Sequence, residues 1–274
     1  MIFKSAVRPG DRTGSPPRWR SWAVPLPLIG ITVNLGLWWL VTAIFEISPL
    51  FLPSPLDVID SLRQPGRGQY LLDRSLETAQ VTLIGFSIAM SGGFVIAVLL
   101  ATFRSVERAA MPVLVALNAV PKVGLAPLLV VWLGFEIEPK VVLVILICFF
   151  PMVVATMSGL ASTPAELGEL AASLAASRWQ TYLKVRVPWA LPQIFVGLKL
   201  SVPLAVIGAV VAETNNPNSG LGSAIVKASA QFETPLAFLC LVLLGLWSSG
   251  LFYLIVGLER WMLPWARAIS AQQA

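Results

Sequence analysis

Six stretches of the chain are almost uninterruptedly apolar, at roughly 24–45, 80–103, 109–133, 141–161, 193–212 and 235–258. Each is near the roughly 20 residues a helix needs to cross a hydrocarbon layer, where it satisfies its own backbone hydrogen bonds. The pattern predicts an all-α polytopic membrane protein with six transmembrane helices. The fifth stretch is the shortest, which fits a helix that begins inside the polar segment before it. That segment, Glu166–Lys199 with its lead-in from Thr163, is a polar helical insert between long apolar runs. Thr163-Pro164-Ala165-Glu166 reads as a capping box with proline at the first helical position. Ser177-Arg178-Trp179-Gln180 starts a second helix in the same way, so a helix–turn–helix is expected. Trp179, Tyr182 and Leu183 are expected on one face of the second helix, with Arg178, Lys184 and Arg186 wetted. Pro188 and Pro192 are expected to end it before the fifth span.

Three other segments break the apolar pattern. The loop Phe51-Leu52-Pro53-Ser54-Pro55 predicts an extended entry into a short helix over Asp57–Leu62. The third span contains Pro112, Pro121, Lys122 and Pro127, so a regular helix is not expected there. Broken backbone at that depth must line a cavity or be buried in protein. Lys122 then faces a polar pathway or a carboxylate, or else snorkels to an interface. The fifth span ends in Glu213-Thr214-Asn215-Asn216-Pro217-Asn218-Ser219-Gly220-Leu221-Gly222. This is either a polar span mouth, with Glu213 as gate or partner of a basic group, or a plain turn-rich loop.

Composition narrows the chemistry. Of 274 residues 57% are hydrophobic and 12% charged, about half the charge of a soluble protein. There is no histidine, so His-ligated metal sites, His-dependent triads and His proton relays are excluded. Cys148 and Cys240 sit in apolar runs and read as small buried hydrophobes. No GxxxxGK(S/T) segment, CxxC pair or HExxH occurs, and no catalytic or metal-ligating set is assigned. The net charge of +5 reflects basic residues at span ends. With a cytoplasmic N-terminus, Lys4, Arg8, Arg12, Arg18, Arg20, Arg104, Arg108, Arg178, Lys184, Arg186, Arg260 and Arg267 share one side. Arg63, Arg67, Arg74, Lys140 and Lys227 share the other, which places both termini in the cytoplasm. Residues 1–22 are expected to be a disordered basic tail rather than a cleavable signal, with 23–274 the membrane domain.

Glu169-Leu170-Ala171-Ala172-Ser173-Leu174-Ala175-Ala176-Ser177-Arg178-Trp179-Gln180, then Val187-Pro188, Leu191-Pro192 and Gly197-Leu198, resembles the coupling signature of permease subunits in ATP-binding cassette importers. Leu52-Pro53-Ser54-Pro55, Gly85-Phe86, Ala126–Gly134, Phe149-Phe150-Pro151, Val211-Ala212-Glu213 and Gly220-Leu221-Gly222 narrow the resemblance to the nitrate/sulfonate/taurine class. It implies coupling helices at about 163–187 that dock a cytoplasmic ATPase through Glu166, Glu169, Ala171, Ala175, Ser177, Arg178, Trp179, Tyr182 and Pro188. It also implies a translocation path involving Pro121, Lys122, Glu213, Asn215 and Asn216. The implied partners are a second copy of the chain, two ATPase subunits that carry ATP and Mg, and an external solute-binding protein. No cofactor is expected on this chain, and the implied location is the bacterial inner membrane. The family usually has glycine where this chain has Ala175, in a turn whose left-handed backbone disfavours alanine.

The expected cargo is a sulfonate, taurine, nitrate or similar anion. A thiamine-precursor pyrimidine, riboflavin or an aromatic acid is the alternative within the same class. A stand-alone secondary carrier would show mid-membrane carboxylates and inverted repeats, and neither is evident in the sequence. A membrane-embedded enzyme lacks the histidines and clustered carboxylates it would need.

Overall fold

The computed structural model of the chain describes residues 25–102, 104–216 and 219–264. Its regular elements are all helical. They are α1 (Pro25–Ile44), α2 (Pro55–Leu62), α3 (Arg67–Thr102), α4 (Arg104–Ala119), a 3-10 turn (Lys122–Leu125) and α5 (Ala126–Leu133). There follow α6 (Glu138–Ala161), α7 (Ala165–Ser173), α8 (Arg178–Thr181), a π-turn (Tyr182–Arg186), α9 (Val187–Thr214), α10 (Gly220–Ala230) and α11 (Thr234–Met262). The basic tail of residues 1–22 lies outside the described residues. The chain divides into one unit ending at Ile47 and another beginning at Ser48.

The first unit contributes α1, whose 20 residues rise about 30 Å. Its polar side chains bond to its own backbone: Thr32 Oγ1 donates to the Leu28 carbonyl at 2.9 Å and Asn34 Nδ2 to that of Gly30 at 2.8 Å. Such back-bonding lets an apolar helix carry polar residues.

In the second unit, four helices are long and apolar enough to cross a membrane: α3, α6, the continuous helix Trp179–Thr214 and α11. Alpha4 and the 3-10/α5 segment, bent by 73° between them, are apolar enough only as a pair, which makes a broken span or a re-entrant loop. The expected irregularity of the third span is therefore real, and its break falls at Val120-Pro121. Pro121 is extended (φ −66°, ψ 90°) and the chain restarts in a 3-10 turn. The segment after Pro53 forms α2 as expected. Its cap is reciprocal, with Asp57 N–H donating to Ser54 Oγ at 3.2 Å and Ser54 N–H to Asp57 Oδ2 at 2.8 Å.

The core lies where α3, α6 and α9 meet. Val81, Phe86, Met90, Val144, Cys148, Met152, Ile194, Phe195 and Val202 interlock there, with Leu251 and Ile255 of α11 added from one side. Small residues set the spacing, as is usual when apolar surroundings supply no extra drive for helices to associate. A Cβ at Gly85 would come within 2.6 Å of Val144 Cβ, and one at Gly197 within 2.5 Å of Ala155 Cβ.

Two expectations about the polar insert are corrected. Pro188 and Pro192 do not end its second helix, because both lie within α9. The π-turn absorbs the first proline: Val187 N–H reaches back to the Tyr182 carbonyl, so the lost donor at Pro188 falls where the bonding register has already shifted. The fifth span does begin inside the insert, as one 36-residue helix from Trp179 to Thr214. The capping box at Thr163 is absent. Thr163 Oγ1 donates to the Leu160 carbonyl at 3.1 Å, which ties it to the end of α6, and α7 starts after Pro164 without a side-chain cap.

Candidate functional site

The α7–α8 hairpin is built by its own sequence. Leu174 ends α7, and Ala175 enters the left-handed region at φ 55°. Ala175 N–H then donates to the Ala172 carbonyl and Ala176 N–H to that of Ala171, each at 3.0 Å. This 5→2 and 6→1 pair is a Schellman motif, which holds the carbonyls at the end of α7. The turn is the left-handed one the family resemblance implies, made here with alanine. Ser177 opens α8 with a reciprocal cap: Gln180 N–H donates to Ser177 Oγ at 3.3 Å, and Ser177 N–H to Gln180 Oε1 at 2.8 Å. The second expected capping box is thus present.

The faces of the hairpin differ from the expected pattern. Trp179 and Leu183 are exposed, 55% and 60%, whereas Tyr182 is 8% exposed and turned inward. Its hydroxyl donates to the Ala101 carbonyl at the end of α3 and accepts from Arg186 Nη1 at 3.1 Å. The Arg186 guanidinium stacks 4.8 Å from the ring centroid, so Arg186 is half-buried rather than wetted. At 100° per residue Tyr182 lies about 60° to one side of Trp179 and Leu183 about 40° to the other, enough to put them on different faces. Glu166 and Glu169 of α7 are exposed, and neither is in an ion pair among the described residues. Ala171 is buried under the turn, and Arg178 is the first residue of α8. Pro188 is half-buried in the first turn of α9. Leu167, Leu170, Leu174, Gln180 and Lys184 edge a groove of about 290 Å³ between the two arms.

At the far end of α9 a second polar cluster forms around the start of α10. Glu213 is 1% exposed, and its Oε2 accepts from Thr78 Oγ1 at 3.0 Å and from Gly222 N–H at 2.9 Å. Gly220 N–H donates to Glu77 Oε2 at 2.6 Å and Leu221 N–H to Thr78 Oγ1 at 2.8 Å. Three N–H groups that a helix start leaves without intrahelical partners are thus taken by α3 and α9, and the carboxylates meet the positive end of the helix dipole. Gly220 sits at φ 80°, and a Cβ there would overlap the Glu213 carboxyl. Lys140 Nζ donates to Ser219 Oγ, and Asn216 Nδ2 to the Phe135 carbonyl between α5 and α6.

The structure thus makes Glu213 a tie on the α10 start, while Asn216 N–H donates to the Glu213 carbonyl at 3.0 Å and its side chain holds the Phe135 carbonyl. Among the described residues Glu213 makes no ion pair with a basic group. Asn215 is exposed and donates to the Val211 carbonyl at 3.1 Å. Lys122 stands apart at the bend after Pro121, where its ammonium donates to Asn118 Oδ1 at 2.6 Å and to the Asn118 carbonyl at 3.1 Å rather than to a carboxylate. Glu77, Thr78 and Lys140 were missed by sequence reasoning. The available signal was a glutamate–threonine pair at the polar start of a span. Their partner Gly220 is 143 residues away from Glu77 in sequence.

Residues 92–267 match the family described as the binding-protein-dependent transport system inner membrane component. The chain is 35% identical over 230 residues to the formylaminopyrimidine transport permease protein ThiX of Halalkalibacterium halodurans, covering 84% of this chain and 91% of that one. It is 36% identical over 243 residues to the riboflavin transport system permease protein RibX of Chloroflexus aurantiacus, covering 87% and 91%. With the taurine transport system permease protein TauC of Escherichia coli it shares 28% identity over 256 residues, covering 90% and 93%.

Proposed function

The chain belongs to the family of binding-protein-dependent transport system inner membrane components, the permeases of ATP-binding cassette importers, and on that premise we propose that two copies of it form the translocation path of a bacterial inner-membrane importer. Two cytoplasmic ATPase subunits, which carry the ATP and Mg, drive it through the α7–α8 hairpin, and an external solute-binding protein delivers the cargo. The observation that carries this reading is the continuity of Trp179–Thr214. A capped hairpin with exposed Trp179, Leu183, Glu166 and Glu169 leads without a break into a core helix, so a push on the hairpin moves a rod that reaches across the membrane.

The second copy is supported by the broken span. Pro121, Val123 and Gly124 are exposed, and irregular backbone cannot face lipid without leaving polar groups unsatisfied. A second copy laid over this bend would cover it and place Lys122 beside the path. The six-span arrangement with both termini in the cytoplasm counts α1 and the bent α4–α5 pair as one span each, and the distribution of basic residues supports it.

For the cargo, a small heterocycle of the vitamin-precursor kind is the first reading. The relatives whose names specify formylaminopyrimidine and riboflavin transport stand at 35% and 36% identity, and the taurine relative stands at 28%. A sulfonate or similar anion is the second reading, favoured by Lys122 at the bend. The test is the chain reconstituted in liposomes with its ATPase and binding protein, assayed with labelled riboflavin, a formylaminopyrimidine and taurine. ATP-dependent uptake of a heterocycle supports the first reading, and uptake of taurine alone replaces it with the second. Uptake with no ATPase present would overturn the importer mechanism.

A further inference from the structure

Lys199 lies inside the helix Trp179–Thr214, and its ammonium is held by both carboxylate oxygens of Glu259, at 3.0 and 2.9 Å. The two side chains are 23% and 25% exposed. This ion pair joins α9 to the last turns of α11, and neither the hairpin nor the α10 cluster uses it. Lys199 is twenty residues beyond Trp179, so about 30 Å of unbroken helix separates it from the start of α8.

We propose that Lys199 and Glu259 are positioning residues that pass the displacement of the hairpin-bearing helix to α11. The proposal rests on the coupling reading above. Alpha9 is fixed against α6 by close approach, because Gly197, two residues before Lys199, meets the Ala155 side chain. Alpha11 is attached to the same core through Leu251 and Ile255. Apolar contacts of that kind are non-directional and permit one helix to slide along another. A doubly hydrogen-bonded, partly desolvated charge pair does not, since sliding leaves each charge without its partner. The pair therefore fixes the axial register of α11 on α9, and α11 follows when the hairpin end is pushed. Without it, the ATPase would still turn over while the helices lost their common movement.

The experiment uses the complete importer in liposomes and reads solute taken up per ATP hydrolysed, together with recovery of the assembled complex. Lys199→Met and Glu259→Gln are expected to assemble normally and to lower uptake per ATP about tenfold, within the range of coupling between linked sites. Lys199→Arg is expected to keep most of the coupling, and Lys199→Glu combined with Glu259→Lys to recover at least half of it. Unchanged uptake per ATP in the single variants overturns the proposal. So does a loss that the charge exchange fails to recover, or a loss that merely follows reduced assembly. Absence of ATP-dependent uptake by the unaltered complex overturns the importer reading instead, which keeps the two failures distinct.

Discussion

Glu213 and Gly222 meet through a 2.9 Å hydrogen bond from a backbone N–H to a carboxylate that is 1% exposed. The contact exists because the chain at Gly220–Gly222 carries no side chain that would stand in the carboxylate's way. A Cβ at Gly222 would lie 2.6 Å from the Val210 carbonyl oxygen and 2.8 Å from Glu213 Cβ. The start of α10 is therefore fixed by what its glycines leave out.

Gly220→Ala follows directly. It adds a methyl group where the Glu213 carboxyl sits and asks alanine to hold φ 80°. The expected cost is at least about 2 kcal/mol, from overpacking and left-handed strain together. Gly245→Ala, where nothing lies within 4 Å of the new methyl, is expected to be neutral or slightly stabilising. Thermal unfolding of the two purified variants in one detergent checks this, and equal midpoints would contradict it. Glu213→Ala is expected to resemble Gly220→Ala, because it orphans the N–H of Gly222. Glu213→Gln keeps an acceptor there and is expected to cost less than about 1 kcal/mol.

Much of the fold was legible because apolar length is what a membrane demands. The centres of the four helices long and apolar enough to cross were placed, but their ends were not. Alpha3 runs on through Arg67–Glu77, which hydropathy reads as loop although Arg74 and Glu77 pair at 3.1 Å along the same helix. The break at Pro121 was legible because several prolines in one span cannot all be accommodated, yet Pro188 and Pro192 broke nothing once the π-turn shifted the register. Local caps were read correctly where the residues were free to make them, as at Ser177, and wrongly where a neighbouring helix held the hydroxyl, as at Thr163. The α10 cluster and the Lys199–Glu259 pair are long-range contacts between residues that look ordinary in their own segments.

Ala175→Gly tests the hairpin turn. Alanine at φ 55° is strained by roughly 1–2 kcal/mol relative to glycine, and part of that gain is returned as chain entropy in the unfolded state. The hairpin is expected to be stabilised by about 0.5–1 kcal/mol, seen as slower hydrogen exchange at Ala175 and Ala176. Faster exchange in the variant would mean that alanine contributes a contact which outweighs the strain.

Lys122→Ala removes the cation at the bend of the broken span. If Lys122 serves the path, uptake is expected to fall about tenfold or more while the assembled complex is recovered at normal yield, the loss typical of an intramembrane charge with a functional role. Asn118→Ala, which frees the ammonium from its 2.6 Å partner, is expected to give a milder loss in the same direction. Unchanged uptake in Lys122→Ala would leave the residue as a lysine bonded across the break to the last turn of α4.

Glu169→Lys addresses the hairpin as a docking element. Glu169 is exposed on α7, three residues after Glu166, and the fold of the hairpin does not depend on it. The turn is held by backbone bonds at Ala175 and Ala176, and α8 by the cap at Ser177. Charge reversal there is expected to leave insertion and the melting midpoint unchanged. Capture of the ATPase subunit in mild detergent is expected to weaken about thirtyfold, the effect of losing one strong interface residue worth about 2 kcal/mol. ATP-driven uptake falls with it. Ser177→Ala offers the contrasting case, since it removes the cap at a cost of about 1 kcal/mol and loosens the hairpin itself. Its capture defect is expected to be small and to grow with temperature as α8 frays, whereas that of Glu169→Lys is expected to shrink as salt is raised. If Glu169→Lys instead abolished membrane insertion, the hairpin would be a folding element, and the force for transport would have to enter the protein elsewhere.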